Sequence, residues 1–196
     1  MRALVTGGCG FIGSNLVDKL VVSGWDVLVI DDMSSGNPHW KSNSAKYIFT
    51  DISLALEATR FEKIDVIFHL AAEARIQPSY ENPLRWQQSN ILGTAAVCEY
   101  ARKNECKVIF AGSSSCYGIP DEYPTKENAA IGPQYPYALT KNIGEQLVMH
   151  WCQLYNLPAI SLRFFNVYGP RARTSGTYGA VFGVFLAQKL AKKPYT

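Results

Sequence analysis

No Cys-x-x-Cys pair and no metal-ligand spacing occurs in this chain, whose five cysteines (9, 98, 106, 116 and 152) form an odd, scattered set. That excludes a disulfide framework and a zinc module, and it fits reduced thiols packed as small core residues in a cytoplasmic protein. Concentrated positive charge is missing too. The 19 basic residues are scattered and the formal charge is only +3, so the electrostatic stripe of a nucleic-acid partner is not expected. The uncharged run 174–188 is shorter than the ~20 mostly apolar residues of a membrane span, so no membrane partner is implied. The apolar run after Arg2 stops at glycines within three residues, too soon for a secretory signal. Repeats and low-complexity tracts are also lacking. What remains is a globular chain of 196 residues, 47% hydrophobic, long enough for one domain and a fragment.

The first thirteen residues organise the rest. A short apolar run breaks into Gly7, Gly8, Gly10 and Gly13, then resumes with Ile12, Leu16, Val17, Leu20 and Val21 on one helical face. This reads as strand, turn and helix. Glycines at that spacing allow a tight turn, close approach of the backbone to a pyrophosphate, and close packing of helix on strand, with the unpaired N–H groups of the helix start facing the phosphates. A second strand, Val27 to Ile30, ends at Asp31 and Asp32. A carboxylate at that place can accept both hydroxyls of an adenosine ribose and repels a 2′-phosphate, favouring NAD over NADP.

Strands and helices keep alternating: Lys46 to Thr50 as a strand, Ser53 to Glu62 as a helix, Asp65 to Ala72 as a strand leaving into small residues. A long helix from Pro83 to Asn104, interrupted at Gly93, precedes a fifth strand from Lys107 to Ala111. The alternation predicts an α/β fold built on an open, doubly wound parallel sheet with ligands at the strands' carboxyl ends. His69 lies inside an apolar strand and reads as a hydrogen-bonded structural histidine.

Directly after the fifth strand come Ser113, Ser114 and Ser115, three hydroxyls at the expected ligand edge. Tyr137 and Lys141 open the next helix four residues apart and share a face. An ammonium beside the phenol would lower its pKa from about 10 toward neutrality, as proton transfer requires.

These residues together resemble the extended short-chain dehydrogenase/reductase family, and within it the NAD-dependent nucleotide-sugar epimerases of the UDP-hexose 4-epimerase type. The resemblance runs from Thr6 to Gly13 through Asp31, Asp51, Ile52, His69 to Ala72, Asn90, Ser113 to Gly118, Tyr137 and Lys141, to Leu162 to Arg171. It implies a Rossmann-type NAD-binding domain over residues 1–165 and, over 166–196, the start of a smaller substrate-binding lobe. Gly7, Gly10, Phe11, Ile12 and Gly13 then meet the pyrophosphate, Asp31 the adenosine ribose, and Asp51 and Ile52 the adenine. Leu70, Ala71 and Ala72 lie along the cofactor, Asn90 supports it, and Phe165 lies near the nicotinamide. Ser113 matches the family's catalytic hydroxyl with Ser114 as a helper, Tyr137 the acid/base, Lys141 the lysine that also holds the nicotinamide ribose, and Asn166 a substrate contact. No metal is implied.

The implied reaction oxidises a nucleotide sugar, a UDP-sugar by the resemblance, at C4 and returns the hydride on the other face. Relatives that dehydrate or decarboxylate place an acid just after the catalytic hydroxyl; Ser114 and Ser115 stand there, favouring epimerase. A 4,6-dehydratase, a UDP-glucuronate decarboxylase and a non-catalytic NAD binder are the alternatives. The resemblance implies a homodimer. It also stops at Thr196, where family members continue, so this stretch is expected to bind NAD with little or no epimerisation of its own. An apolar stripe of Val181, Phe182, Phe185 and Leu186, at helical spacing, is expected to be exposed without the rest of that lobe.

Overall fold

The computed structural model describes residues 1–58, 61–172 and 181–195. They fall into two compact units, Met1–Phe164 and Phe165–Thr196.

The first unit is a six-stranded sheet of β1 (Arg2–Thr6), β2 (Asp26–Asp31), β3 (Lys46–Phe49), β4 (Val66–His69), β5 (Lys107–Ser113) and β6 (Ala159–Phe164) in the order β3-β2-β1-β4-β5-β6. Every pairing is parallel. The order reverses direction between β1 and β4, the switch point at which doubly wound sheets open a crevice. Strand alternation builds the two cores. Ala3 and Val5 of β1, with Val27, Val29 and Val66, pack on Val17 and Leu20 of α1 (Phe11–Val22). Leu4, Leu28, Ile30, Ile67 and Val108 face the other way, onto Ile52, Ala55 and Leu56 of α2 (Ile52–Ala58) and Val97 and Ala101 of α5 (Gly93–Asn104). Central strands buried on both faces therefore read as continuous apolar runs.

Between β4 and β5 the chain departs from the single long helix its pattern predicts. It forms α3 (Ile76–Glu81), α4 (Pro83–Gln87), a π turn at Gln88–Leu92, and only then α5. In the π turn the Gly93 N–H reaches back to the Gln88 carbonyl, and the Thr94 hydroxyl takes the Asn90 carbonyl at 2.6 Å. The extra residue turns Asn90 inward, where it is 2% exposed. β5 runs two residues past its expected end, which places Ser113 on the sheet edge. A 3₁₀ turn at Ser114–Tyr117 follows, and then α6 (Pro136–Tyr155) with proline in its first turn.

The second unit contains α7 (Val181–Leu190). Within it Phe182 lies against Tyr168 with ring centroids 5.3 Å apart, and Phe185 against Tyr195 at 5.2 Å. Among the described residues no helix is long and apolar enough to cross a membrane.

Candidate active site

Parallel strands bring the ends of β1, β2, β4 and β5 to one edge. At the first of them Gly7 adopts φ +71°, and a Cβ there would stand 2.8 Å from the Ala71 backbone, so the turn lies flat against the chain leaving β4. A Cβ on Gly13 would collide with the Gly7 carbonyl oxygen, which is how closely α1 seats on the turn. α1 has Gly10 as an extended N-cap, no side-chain cap and no acid in its first turn. The N–H groups of Phe11 and Ile12 thus have no intrahelical carbonyl to bond, which makes an anion cradle.

Asp31 has more work than its position at a strand end suggests. Its Oδ2 accepts the Cys9 N–H at 2.8 Å and its Oδ1 the Met33 N–H at 2.9 Å, clamping the glycine turn to β2. Each oxygen keeps a lone pair for a ribose hydroxyl. Burial raises the Asp31 pKa above the ordinary carboxylate value, against the lowering effect of those two N–H groups. A glycine turn whose Cys9 side chain is buried, free helix N–H groups and a doubly anchored carboxylate fit a dinucleotide.

The expected adenine pair is arranged differently. Asp51 caps α2 through the Ser53 N–H at 2.8 Å, and the Ile52 side chain is buried in the core, so only the main chain of Ile52 can meet a ligand. Leu70 and Ala71 leave β4 with their N–H groups on the Thr6 hydroxyl at 3.2 and 3.1 Å, close to the turn at Gly7, and Ala72 follows them along this edge.

That hydroxyl accepts twice, so its own proton goes to His69 Nδ1 at 2.7 Å. His69 then carries its proton on Nε2 and donates to Thr94 Oγ1 at 3.0 Å, since the Thr94 proton goes to Asn90. Burial, and then the charge of Lys141, push its pKa down to about 3. His69 is a neutral tie between β1, β4 and α5, as its sequence setting predicts. Asn90 bridges the chain after β4 to α6: its Oδ1 accepts the Glu73 N–H at 2.8 Å, and its Nδ2 donates to the Glu73 carbonyl at 3.0 Å and Thr140 Oγ1 at 2.9 Å. Both amide protons are used, so what Asn90 holds in the structure is the loop at Glu73.

At the end of β5 the Ser113 oxygen accepts the Ser115 N–H at 3.2 Å and lies 2.8 Å from the Ser115 hydroxyl. Ser114, half-buried, opens the turn beside it. Across from them α6 presents Tyr137, whose N–H rests on Ser79 Oγ of α3 at 3.3 Å. Its phenol faces Ser113. The expectation that Lys141 lowers this phenol's pKa is corrected by the structure. Burial raises the Tyr137 pKa, Ser113 works against that rise, and Tyr135 adds to it. Lys141 is 5% exposed with Nζ 4.4 Å from the Phe110 ring centroid, and desolvation brings its own pKa down to about 8. A shared helix face puts the two residues side by side without fixing where the ammonium points.

One cluster went unforeseen. Arg163 of β6 binds Glu145 of α6 through Nε at 3.0 Å and Nη2 at 2.5 Å, while its Nη1 donates to the Tyr117 hydroxyl and the Glu127 carbonyl, each at 2.8 Å. Ser161 adds a bond to Glu145 at 2.9 Å. This knot ties the serine turn to α6. Glu145 stands one turn after Lys141 and was readable from that spacing; its partners on β6 carried no local signal. Phe165 and Asn166 open the second unit and remain sequence-based expectations. Among the described residues no group of three or more His, Cys, Asp or Glu could hold a metal.

Residues 3–196 match the family model described as the NAD dependent epimerase/dehydratase family. The chain is 40% identical over 191 residues to a UDP-glucose 4-epimerase of Mycolicibacterium smegmatis, covering 92% of this chain and 61% of that protein. It is 37% identical to a putative UDP-glucose 4-epimerase of Methanocaldococcus jannaschii, covering 95% and 62%. Among solved structures it superposes on the UDP-glucose 4-epimerase with UDP-glucose from Thermotoga maritima with a TM-score of 0.92 and 33% identity, over 98% of this chain and 64% of that one. The chain thus spans about three fifths of the length of the curated relatives it matches.

Proposed function

The chain belongs to the NAD-dependent epimerase/dehydratase family, and we propose that it carries the cofactor-binding and proton-transferring part of a UDP-hexose 4-epimerase. The observation that carries this reading is the meeting of Ser113, at the end of β5, with Tyr137, in the first turn of α6, on the edge that also holds the glycine turn and Asp31. Bound NAD⁺ supplies the capacity to take a hydride from C4 of the sugar and return it. The N–H groups of Phe11 and Ile12 hold its pyrophosphate, Asp31 its adenosine ribose, and Lys141 its nicotinamide ribose. Tyr137, which must ionise against the rise that burial gives its pKa, takes the proton of the sugar 4-hydroxyl and later returns it, while Ser113 hydrogen-bonds the same oxygen. Between the two transfers the 4-keto sugar turns its other face to the cofactor. Protons and hydride both return, so no net cofactor is consumed.

Residues 1–165 form the cofactor domain in this reading, and 166–196 begin the substrate lobe, with Phe165 near the nicotinamide and Asn166 on the nucleotide sugar. Ser114 and Ser115, in place of an acid, favour epimerisation over elimination or decarboxylation. A cytoplasmic homodimer through the outer faces of the helices from Pro83 and Tyr135 completes the assignment; Leu84, Leu92, Leu139 and Leu154 are exposed there.

The test is product analysis with the full-length protein, NAD⁺, and UDP-glucose, UDP-galactose and their N-acetylamino counterparts. The expected result is an equilibrium of C4 epimers without accumulation of NADH. A 4-keto-6-deoxy product or release of carbon dioxide from a UDP-uronate would assign the family's other reactions. NAD binding with no turnover of any sugar would overturn an enzymatic role.

A further inference from the structure

Ser113 and Tyr137 stand on different elements, and the chain between them is poorly suited to fix their separation. After the 3₁₀ turn at Ser114–Tyr117 it runs from Gly118 to the start of α6 without a helix or strand. Irregular segments of that kind open more readily than the elements they join. α6 itself is seated on the sheet: a Cβ on Gly144 would stand 3.0 Å from the Phe110 ring of β5. That contact fixes the helix against the strand, but the serine turn lies beyond the strand end and needs a seat of its own.

Arg163 supplies that seat. It lies on β6 opposite Gly112, the residue before Ser113. Its guanidinium bonds all three pieces of the path from Ser113 to Tyr137. Nη1 donates to the Tyr117 hydroxyl of the serine turn and to the Glu127 carbonyl of the loop, each at 2.8 Å, while Nε and Nη2 grip Glu145 of α6 at 3.0 and 2.5 Å. Tyr117 is 5% exposed, and its ring centroid lies 4.9 Å from the Arg163 Cζ. The strand is cut to fit: a Cβ on Gly112 would come within 2.7 Å of Ser161 Oγ and 3.2 Å of Glu145 Oε2. One planar fork holds three directions at once, which the single point of a lysine ammonium cannot do.

We propose that Arg163 is a positioning residue for the proton transfer: bonded at once to the serine turn, the loop after it and α6, it sets the separation of Ser113 and Tyr137 at which one sugar oxygen meets both. The inference rests on the reading of that pair as the reacting hydroxyls. The bonds of Arg163 go to neither of them, so it acts through Tyr117 and Glu145. Release of the turn would displace Ser113 and leave the glycine turn and Asp31, on β1 and β2 across the sheet, in place. A displacement of about 1 Å in a reacting group can cost ~10²-fold in rate.

The experiment compares full-length, NAD-loaded parent, Tyr117→Phe, Arg163→Lys, Arg163→Met and the double variant Arg163→Met/Tyr117→Phe, all below their melting temperatures. Tyr117→Phe keeps the ring and removes one hydroxyl. Its kcat should fall about 3- to 10-fold, the size of one hydrogen bond, with KM for the nucleotide sugar and Kd for NAD changed less than about 2-fold. Arg163→Met should lose about 10- to 100-fold in kcat. Arg163→Lys should recover most of the melting temperature lost in Arg163→Met, because an ammonium still answers Glu145, yet keep the low kcat. The double variant should lose no more than Arg163→Met alone. Hydrogen exchange reads the turn without turnover. The Gly118 and Gly132 amides, bonded to the Ser115 and Cys116 carbonyls at 3.2 and 2.9 Å, should exchange faster in Tyr117→Phe and Arg163→Met, and those of Gly7 and Cys9 at the parent rate. A merely structural arginine would lower melting temperatures with kcat intact, or let Arg163→Lys recover both. Either outcome overturns the proposal, as do additive losses in the double variant. Should Arg163→Met not fold, an unchanged kcat in Tyr117→Phe does the same. Faster exchange at Gly118 and Gly132 in a protein that turns over no sugar would keep Arg163 as the seat of the turn and sink the epimerase reading; turnover lost in Tyr137→Phe but intact in Tyr117→Phe and Arg163→Lys would do the reverse.

Discussion

The Lys141 ammonium lies 4.4 Å from the centroid of the Phe110 ring, on the floor of the site. The aromatic face of β5 holds the cation where water cannot, and Glu145, one turn on, answers its charge. Lys141 thereby keeps its charge beneath the cofactor edge, while the phenol of Tyr137 answers to Ser113.

This placement has a cost that can be measured. Lys141 titrates near 8 in the fold, chiefly through desolvation, against 10.5 ordinarily. Between those values the unfolded chain binds more protons, so stability rises with pH through this window and the penalty is fully present below it. Lys141→Met should be more stable than the parent at pH 7, by on the order of 3 kcal/mol before the lost ring contact is counted. Urea melts from pH 7 to 10.5 should show the gap closing; a gap independent of pH would contradict the buried charge.

Tyr137→Phe in the full-length protein should bind NAD nearly as the parent does and lose at least ~10²-fold in kcat, because the role proposed for the phenol is to move a proton and not to grip the cofactor. Lys141→Ala should lose both binding and turnover. Cofactor titration beside steady-state rates separates the two.

Asp31→Asn should narrow the preference for NAD over NADP, since in the proposed site the carboxylate charge repels a 2′-phosphate. Asn retains an acceptor for the Cys9 or Met33 N–H, so the turn survives. Burial raises the Asp31 pKa, so the parent's own preference should narrow as pH falls through that raised value. Binding of both cofactors across pH measures it.

Gly13→Ala should be among the most damaging single changes in the chain. Its Cβ would collide with the Gly7 carbonyl, and neither backbone can yield without opening the turn. A loss of about 1–3 kcal/mol or more, with NAD binding abolished, is expected in thermal melts and titration.

Arg163→Met should loosen the serine turn. Removing the guanidinium leaves the largely buried Glu145 carboxylate without its counter-charge and takes one bond each from Tyr117 and the Glu127 carbonyl. Burial pushes the Glu145 pKa up, but the bonds from Arg163 and Ser161 outweigh it and leave the carboxyl below its ordinary value. The stability from this pair is therefore present above the ordinary pKa of Glu and lost as pH falls through the lowered one, and the variant should lack that acid-limb dependence.

Much of the fold was legible because it is written locally. Glycines at 7, 10 and 13, an apolar run ending at Asp31, and alternating segments to Lys107 specify strand, turn, helix and parallel crossover with no long-range information. The types and spacing of Ser113, Tyr137 and Lys141 likewise follow from one loop and one helix face. Other features were decided only when distant segments met. The long helix expected from Pro83 breaks because Thr94 claims the Asn90 carbonyl and Asn90 is drawn between Glu73 and Thr140. Ile52 goes to the core because β1 and α5 close over it, and Lys141 turns to Phe110 because β5 runs beneath α6. The sequence by itself determined which chemical groups stand at the edge of the sheet, since period and spacing are properties of the chain. Where the protons and charges of those groups point was decided by tertiary structure alone, because burial and hydrogen bonds across 18 to 65 residues set them.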